Sequence, residues 1–130
     1  MTDHILVIGY GDTGRSAVNS VLASQPDALL IVLDIDFLAV AEATANGATA
    51  LVGDGRDRCA LDQATADIAD RVIVAVPDDL NAFLITRAVR QLNPVALLVV
   101  IIREPENHAI FASDGIVTVH MQQDPDNPQT

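Results

Sequence analysis

The chain predicts an α/β unit, a doubly wound, mostly parallel six-stranded sheet with helices on both faces, and three observations carry that expectation. Short apolar runs alternate along the whole length with stretches that fit amphipathic helices. The runs are continuous in Val, Ile, Leu and Ala with little polar alternation, as strands covered on both faces require. The first run gives way to Gly9, Gly11 and Gly14 at G-x-G-x-x-G spacing, ahead of a helical stretch. Repeated strand, helix, strand order with right-handed crossovers produces a parallel sheet wound in two directions.

The first strand is expected at Ile5–Ile8, a run too short for a globular helix and ended by glycine. A helix over Arg15–Ala23 would then put Ala17, Val18, Val21 and Leu22 on one side. Strand Leu29–Leu33 precedes an alanine-rich helix, Phe37–Asn46, which Gly47 terminates. Strand Thr49–Val52 leads to a helix over Arg58–Ala64, with Asp57 as its cap. Strand Val72–Val76 stops at Pro77. The helix over Asp79–Gln91 buries Phe83, Leu84, Ala88 and Leu92, with Asp78 or Asp79 as its cap. Pro94 and Pro105 bracket strand Leu97–Ile102. Pro105 suits the first turn of a helix over Pro105–Ala112, and Ile116–Val119 is the last strand. Residues 1–120 are read as one domain and the polar, proline-containing residues 121–130 as a tail or linker remnant.

With 130 residues, half of them hydrophobic, the chain can bury one sizeable core but not two. Its single cysteine, Cys59, cannot form an internal disulfide, which fits a reducing compartment. The start lacks a basic stretch followed by a long apolar segment, so no signal peptide is expected. The most apolar stretch, Val95–Ile102, falls well short of the roughly 20 residues that span a bilayer. A cytoplasmic location is expected, at the inner face of the membrane if a membrane partner is attached. Eighteen acidic residues against seven arginines and no lysine give a net charge of −11. Such a surface repels a phosphate backbone, and few aromatics are available to stack bases, so nucleic acid is excluded as a partner.

The glycine spacing gains meaning from its setting between a strand and a helix. The first glycine permits the turn, the second lets a diphosphate approach the backbone, and the third lets helix and strand pack closely. Backbone N–H groups at a helix start then favour an anion. Asp34 ends the second strand twenty residues after Gly14, where a carboxylate accepts from both ribose hydroxyls and repels a 2′-phosphate. NAD or an adenine nucleotide is therefore favoured over NADP; Asp36 is the alternative acid.

The candidate cofactor-binding residues are Gly9, Tyr10, Gly11, Asp12, Thr13, Gly14 and Arg15 in the first loop, and Asp34, Ile35 and Asp36 in the second. Gly53, Asp54 and Gly55 follow the third strand, where the adenosine would lie. Ala75, Val76 and Pro77 form an apolar wall for a nicotinamide or second sugar. Arg103, directly beyond the fifth strand, either crosses to a phosphate or makes a surface ion pair. Arg56 and Arg58 read foremost as an ion-pair cluster at a helix start. The expected ligand is NAD(H), with ATP, ADP or AMP as alternatives.

None of His4, His108 and His120 is placed by sequence beside the nicotinamide position, and no Ser-His-Asp, Cys-His or metal-ligand spacing is readable. The expectation is a chain that binds a nucleotide without transforming it. The alternative is the cofactor-binding portion of a small NAD-dependent oxidoreductase whose catalytic residue comes from elsewhere.

From Ile5 to Val119 the sequence resembles the TrkA-N (KTN) domain, the N-terminal part of the regulator-of-potassium-conductance (RCK) modules. The segments that carry the resemblance are VIGYGDTGRS, IVLDID, LVGDGRDRCALDQA, ADRVIVAVPDDLNAFLITRAVRQLNP and VIIREPENHAIFASDGIVTV. The acid-bearing G-D loop, the P-D-D-x-x-N segment and the R-x-P-E segment, in that order, separate it from ordinary dehydrogenases. The resemblance implies a Rossmann-like fold that binds NAD(H), ATP or ADP. It also implies homodimers assembling into a ring and a membrane cation channel, transporter or antiporter as partner. By that resemblance, Gly9, Gly11 and Gly14 hold phosphates, Asp34 holds ribose, Asp54 borders the adenosine and Arg103 approaches the phosphates. Asp12 departs from the pattern, since family members often carry a basic or neutral residue between the second and third glycines. The crossover helices that usually follow the sixth strand are also missing.

Overall fold

The structure, a computed structural model, describes residues 2–112 and 115–120; the tail assigned to 121–130 lies outside the described residues. Six strands, β1 (His4–Ile8), β2 (Leu29–Asp34), β3 (Thr49–Val52), β4 (Arg71–Val74), β5 (Leu97–Ile102) and β6 (Ile116–His120), form one sheet in the order β3-β2-β1-β4-β5-β6. Every pairing is parallel, which sharpens the mostly parallel expectation. The Rossmann-like arrangement reverses direction between β1 and β4, whose register pairs Ile5 with Arg71 and Ile8 with Val74.

Helices α1 (Asp12–Ser24) and α2 (Phe37–Ala45) pack on one face through Val18, Val21 and Ala43 against Ile5, Val7 and Val32. On the other face lie α3 (Arg58–Gln63), a 3-10 turn at Ala66–Ile68, α4 (Asp79–Leu92) and a 3-10 helix at Pro105–Phe111. Leu61, Ile85, Val89 and Phe111 meet Leu6, Val74, Leu98 and Val100 there. Alternate residues of each inner strand thus feed opposite cores, which accounts for the unbroken apolar runs. Outward from α1 the first face is less covered. Val99 and Ile101 are half-buried, Val119 is 46% exposed, and a shallow groove lined by Ala17, Ser20, Ile101 and Val119 runs between α1 and the outer strands.

Apart from one-residue shifts at element ends, two boundaries, one helix type and one burial expectation differ from the sequence reading. α1 begins at Asp12 rather than Arg15, because Gly11 serves as its N-cap and Gly14 must sit in the first turn to pack on Gly9. β4 ends at Val74 rather than Val76: its partner β1 ends at Ile8, and the last cross-link is Ala75 N–H to the Ile8 carbonyl at 2.8 Å. Pro105–Phe111 is a 3-10 helix rather than an α-helix, its turn held from outside by Asp79. Leu84 is exposed, and Phe83 instead packs edge-on against Phe111 at 5.9 Å. Pro105 does occupy the first turn, and Asp36, Asp57 and Asp78 cap α2, α3 and α4 through their side chains. No helix among the described residues is long and apolar enough to cross a membrane.

Candidate functional site

A cleft of about 530 Å³ opens at the carboxyl ends of β1 to β4, where the strand order reverses. That is the position at which open parallel sheets take ligands, and the volume falls within the roughly 300–1,000 Å³ of small-molecule sites. The glycine loop forms its floor. Gly9 has φ +103°, and a Cβ there would lie 2.5 Å from the Ala75 carbonyl oxygen. A Cβ on Gly14 would lie 1.8 Å from the Gly9 carbonyl oxygen, so the first turn of α1 can rest on the loop only without a side chain. A Cβ on Gly11 would meet nothing within 4 Å. The space beside it is open, and no side chain caps the helix there, so the first turn presents its backbone to the cleft rim.

Asp34 lines the cleft, and its carboxylate is oriented from behind. One oxygen accepts from Tyr10 N–H at 2.6 Å and the other from Asp36 N–H at 2.8 Å. Each oxygen retains lone-pair capacity for a ligand hydroxyl. The first bond also ties the glycine loop to the end of β2. Tyr10 contributes only backbone here, because its ring is buried between α1 and α2 and its hydroxyl accepts from Asn46 Nδ2.

Asp54 and Arg56 form a second polar wall. Arg56 binds the Asp54 carboxylate through Nε at 3.0 Å and a terminal nitrogen at 2.8 Å, and its backbone N–H adds a bond of 2.9 Å. The Arg56 hydrogen bonds hold Asp54 below the usual carboxylate range, against the opposing effect of burial. Arg56 also reaches Asn81 on α4 at 3.4 Å.

Of the residues singled out in the sequence, Gly9, Tyr10, Gly11, Asp34, Ile35, Asp36, Gly53, Asp54, Gly55, Ala75, Val76 and Pro77 share this cleft. Asp12, Thr13, Gly14 and Arg15 stand beside it in the first turn of α1 without lining it. The Asp12 side chain is 95% exposed and pairs with Arg15 at 2.7 Å. Arg15 also pairs with Glu42 at 2.5 Å, joining α1 to α2 at the rim. Arg103 is not brought to the cleft. It is exposed, its N–H donates to Asp79 at 2.8 Å, and its carbonyl accepts from His120.

Sequence reasoning left out Leu38, Ala39 and Glu42 of α2, together with Asn81 and Ile85 of α4. These walls come from helices leaning over the strand ends. The only available signal was their place in the first two turns of the helices after β2 and β4. None of the three histidines lines the cleft: His4 contacts Thr65, His108 contacts Thr118, and His120 contacts Arg103.

The sequence profile of the TrkA-N domain matches residues 5–122. Comparison with curated protein sequences finds no match. Among solved structures, the TrkA-N domain of the Escherichia coli inner membrane protein ybaL superposes with TM-score 0.78 at 23% identity, covering 91% of this chain and 88% of that one. The GsuK channel bound to NAD superposes with TM-score 0.76 at 16% identity, over 90% of this chain but only 21% of the channel chain. The Shewanella denitrificans Kef C-terminal domain in its AMP-bound form gives TM-score 0.73 at 16% identity, over 90% of this chain and 71% of that one. At these identities the superpositions speak to the fold, whereas the profile match runs from the first strand past the last. The chain belongs to the TrkA-N domain family.

Proposed function

We propose that this chain is a nucleotide-binding regulatory domain of a potassium or other monovalent-cation transport system, and that it binds its ligand without chemical turnover. The carrying observation is the open space beside Gly11, bordered by the start of α1 and by the Asp34 carboxylate held toward the cleft by two backbone N–H groups. A diphosphate fits the former and an adenosine ribose the latter. Relatives of the same fold are a channel solved with NAD, the same channel solved with ADP, and a Kef domain solved with AMP. The proposed ligand is an adenine nucleotide, with NAD(H) foremost and ATP, ADP or AMP as alternatives.

The proposed partner is a membrane channel, transporter or antiporter subunit. The domain would sit at the cytoplasmic face, paired with a second copy and assembled into a ring. Occupancy would act by binding one arrangement of the assembly better than another; each 1.4 kcal/mol of difference shifts the ratio about tenfold. No histidine lines the cleft to donate a proton, which favours binding over an oxidoreductase role.

Native mass spectrometry of gently purified protein should find a retained nucleotide. In calorimetry Asp34→Ala should weaken that nucleotide about tenfold or more, the worth of charge-assisted hydrogen bonds to hydroxyls. Equal affinity of parent and variant would remove the ribose assignment. NADH turnover by the isolated chain on simple carbonyl compounds would favour the oxidoreductase reading instead.

A further inference from the structure

The cleft carries an unusual charge balance for a phosphate ligand. Asp34, Asp36, Glu42 and Asp54 line it, against Arg56 alone. Arg56 is already held by Asp54, and the only guanidinium paired at the glycine-loop end of the rim, Arg15, is shared between Asp12 and Glu42. Five carboxylates against two guanidiniums leave a surplus of three negative charges around a site whose anion-binding element is the start of one helix.

Phosphates differ in what they ask of such a site. A terminal phosphate monoester carries about −1.5 to −2 at neutral pH. The two phosphates inside a dinucleotide are diesters with a single charge each, and an oxidised nicotinamide adds a compensating cation. Charges at the loop end act at short range, where unit charges 4 Å apart interact by about 1 kcal/mol in water and several-fold more at a partly buried site.

Resting on the nucleotide reading above, we propose that this cleft selects by ligand charge. It takes adenine dinucleotides whose phosphates are diesters and discriminates against nucleoside di- and triphosphates, and Glu42 is the residue that sets the discrimination. Asp34 is committed to the loop and ribose side, Asp36 caps α2, and Asp54 is neutralised by Arg56. Glu42 alone both lines the cleft and holds Arg15, the guanidinium nearest the glycine-loop end of the rim. A ligand that drew Arg15 away would leave both Glu42 and Asp12 unpaired beside its own negative charge.

The test is calorimetry of the whole chain with adenosine, AMP, NAD⁺, NADH, ADP and ATP as sodium salts in chelator. NAD⁺ and NADH should bind at least about tenfold tighter than ADP, and ATP should be weakest. Raising sodium chloride from about 50 to about 500 mM should strengthen ADP and ATP, because screening relieves repulsion, the reverse of an ordinary phosphate site. Glu42→Gln should raise the ADP and ATP affinities about five- to tenfold and close their gap to NAD⁺. Asp12→Asn, at a fully exposed side chain, should act in the same direction more weakly. ADP or ATP binding as tightly as NAD⁺, or weakening with salt, overturns charge selection while leaving the nucleotide reading intact. Failure of every adenine ligand to bind overturns both.

Discussion

Asp78 and Asp79 are adjacent, alike in charge and opposite in role. Asp78 is exposed and caps α4 through Leu80 N–H. Asp79 is 7% exposed and accepts from Arg103 N–H, Glu104 N–H and Asn107 Nδ2 at 2.8 to 3.0 Å, pinning the turn after β5 to the start of α4. Burial opposes ionisation of Asp79, but the Asn107, Arg103 and Glu104 hydrogen bonds, with the Arg103 charge, together hold its carboxyl below the ordinary value. A carboxylate depressed in the folded state contributes stability that is complete above its unfolded pKa, near 3.9, and is lost as pH falls through the lower folded value. Asp79→Asn, which keeps the shape but presents an N–H₂ where donors converge, should therefore cost about 1–3 kcal/mol at neutral pH. Urea denaturation of parent and variant should show that difference shrinking below about pH 4. A gap constant from pH 7 to pH 3 would show that ionisation of Asp79 contributes nothing.

Between elements, the junction of α4 and β5 depends on one amide. Asn93 is 2% exposed; its Nδ2 donates to the Ala66 and Ala69 carbonyls, and its Oδ1 accepts from Val95 and Ala96 N–H. It ties the end of α4, the 3-10 turn and the start of β5 together. Asn93→Ala leaves buried backbone groups unpaired on both sides and should lower stability by about 3 kcal/mol, read as a drop in the urea midpoint at unchanged slope. A loss below about 1 kcal/mol would mean water replaces the amide. Nothing local distinguishes this asparagine from a solvent-facing one before Pro94, and so the sequence reading passed over it. The strands and the glycine loop were legible for the contrary reason: Ile5–Ile8 and Leu97–Ile102 are apolar on both faces, and Gly14 answers to a contact with Gly9 inside one strand–turn–helix unit, although the Ala75 carbonyl that also crowds Gly9 comes from a distant strand end. Asp34 was legible as the end of such a unit, and the structure does place it in the cleft. Glu42 and Asn81 were not, because their approach to the cleft depends on how α2 and α4 lean across strands distant in sequence.

Taken whole, the molecule sets a large net charge against an apolar surface. At −11 for 130 residues, copies repel one another at low ionic strength. Yet the sheet face beside α1 exposes Leu97, Val117 and Val119 at 40%, 49% and 46%, next to half-buried Val99 and Ile101. The groove above them is lined by small or apolar residues, with Arg71 at one end and Asp12 at the other. Long-range repulsion and short-range apolar attraction respond oppositely to salt. The Debye length falls from about 8 Å at 0.15 M to about 3 Å at 1 M, while burial of apolar surface persists and strengthens in sulfate. The average mass by sedimentation velocity should therefore rise between about 0.1 and about 1 M salt, more steeply in sodium sulfate than in chloride. Val119→Glu adds a charge to a half-exposed side chain on the strip and should abolish that rise without lowering the thermal midpoint by more than about 4–8 °C, the effect of roughly 1 kcal/mol in a domain near this size. If the variant still gained mass with salt as its parent does, the contact would lie elsewhere, and the exposed α2 face around Phe37 and Leu38 would be the next surface to alter.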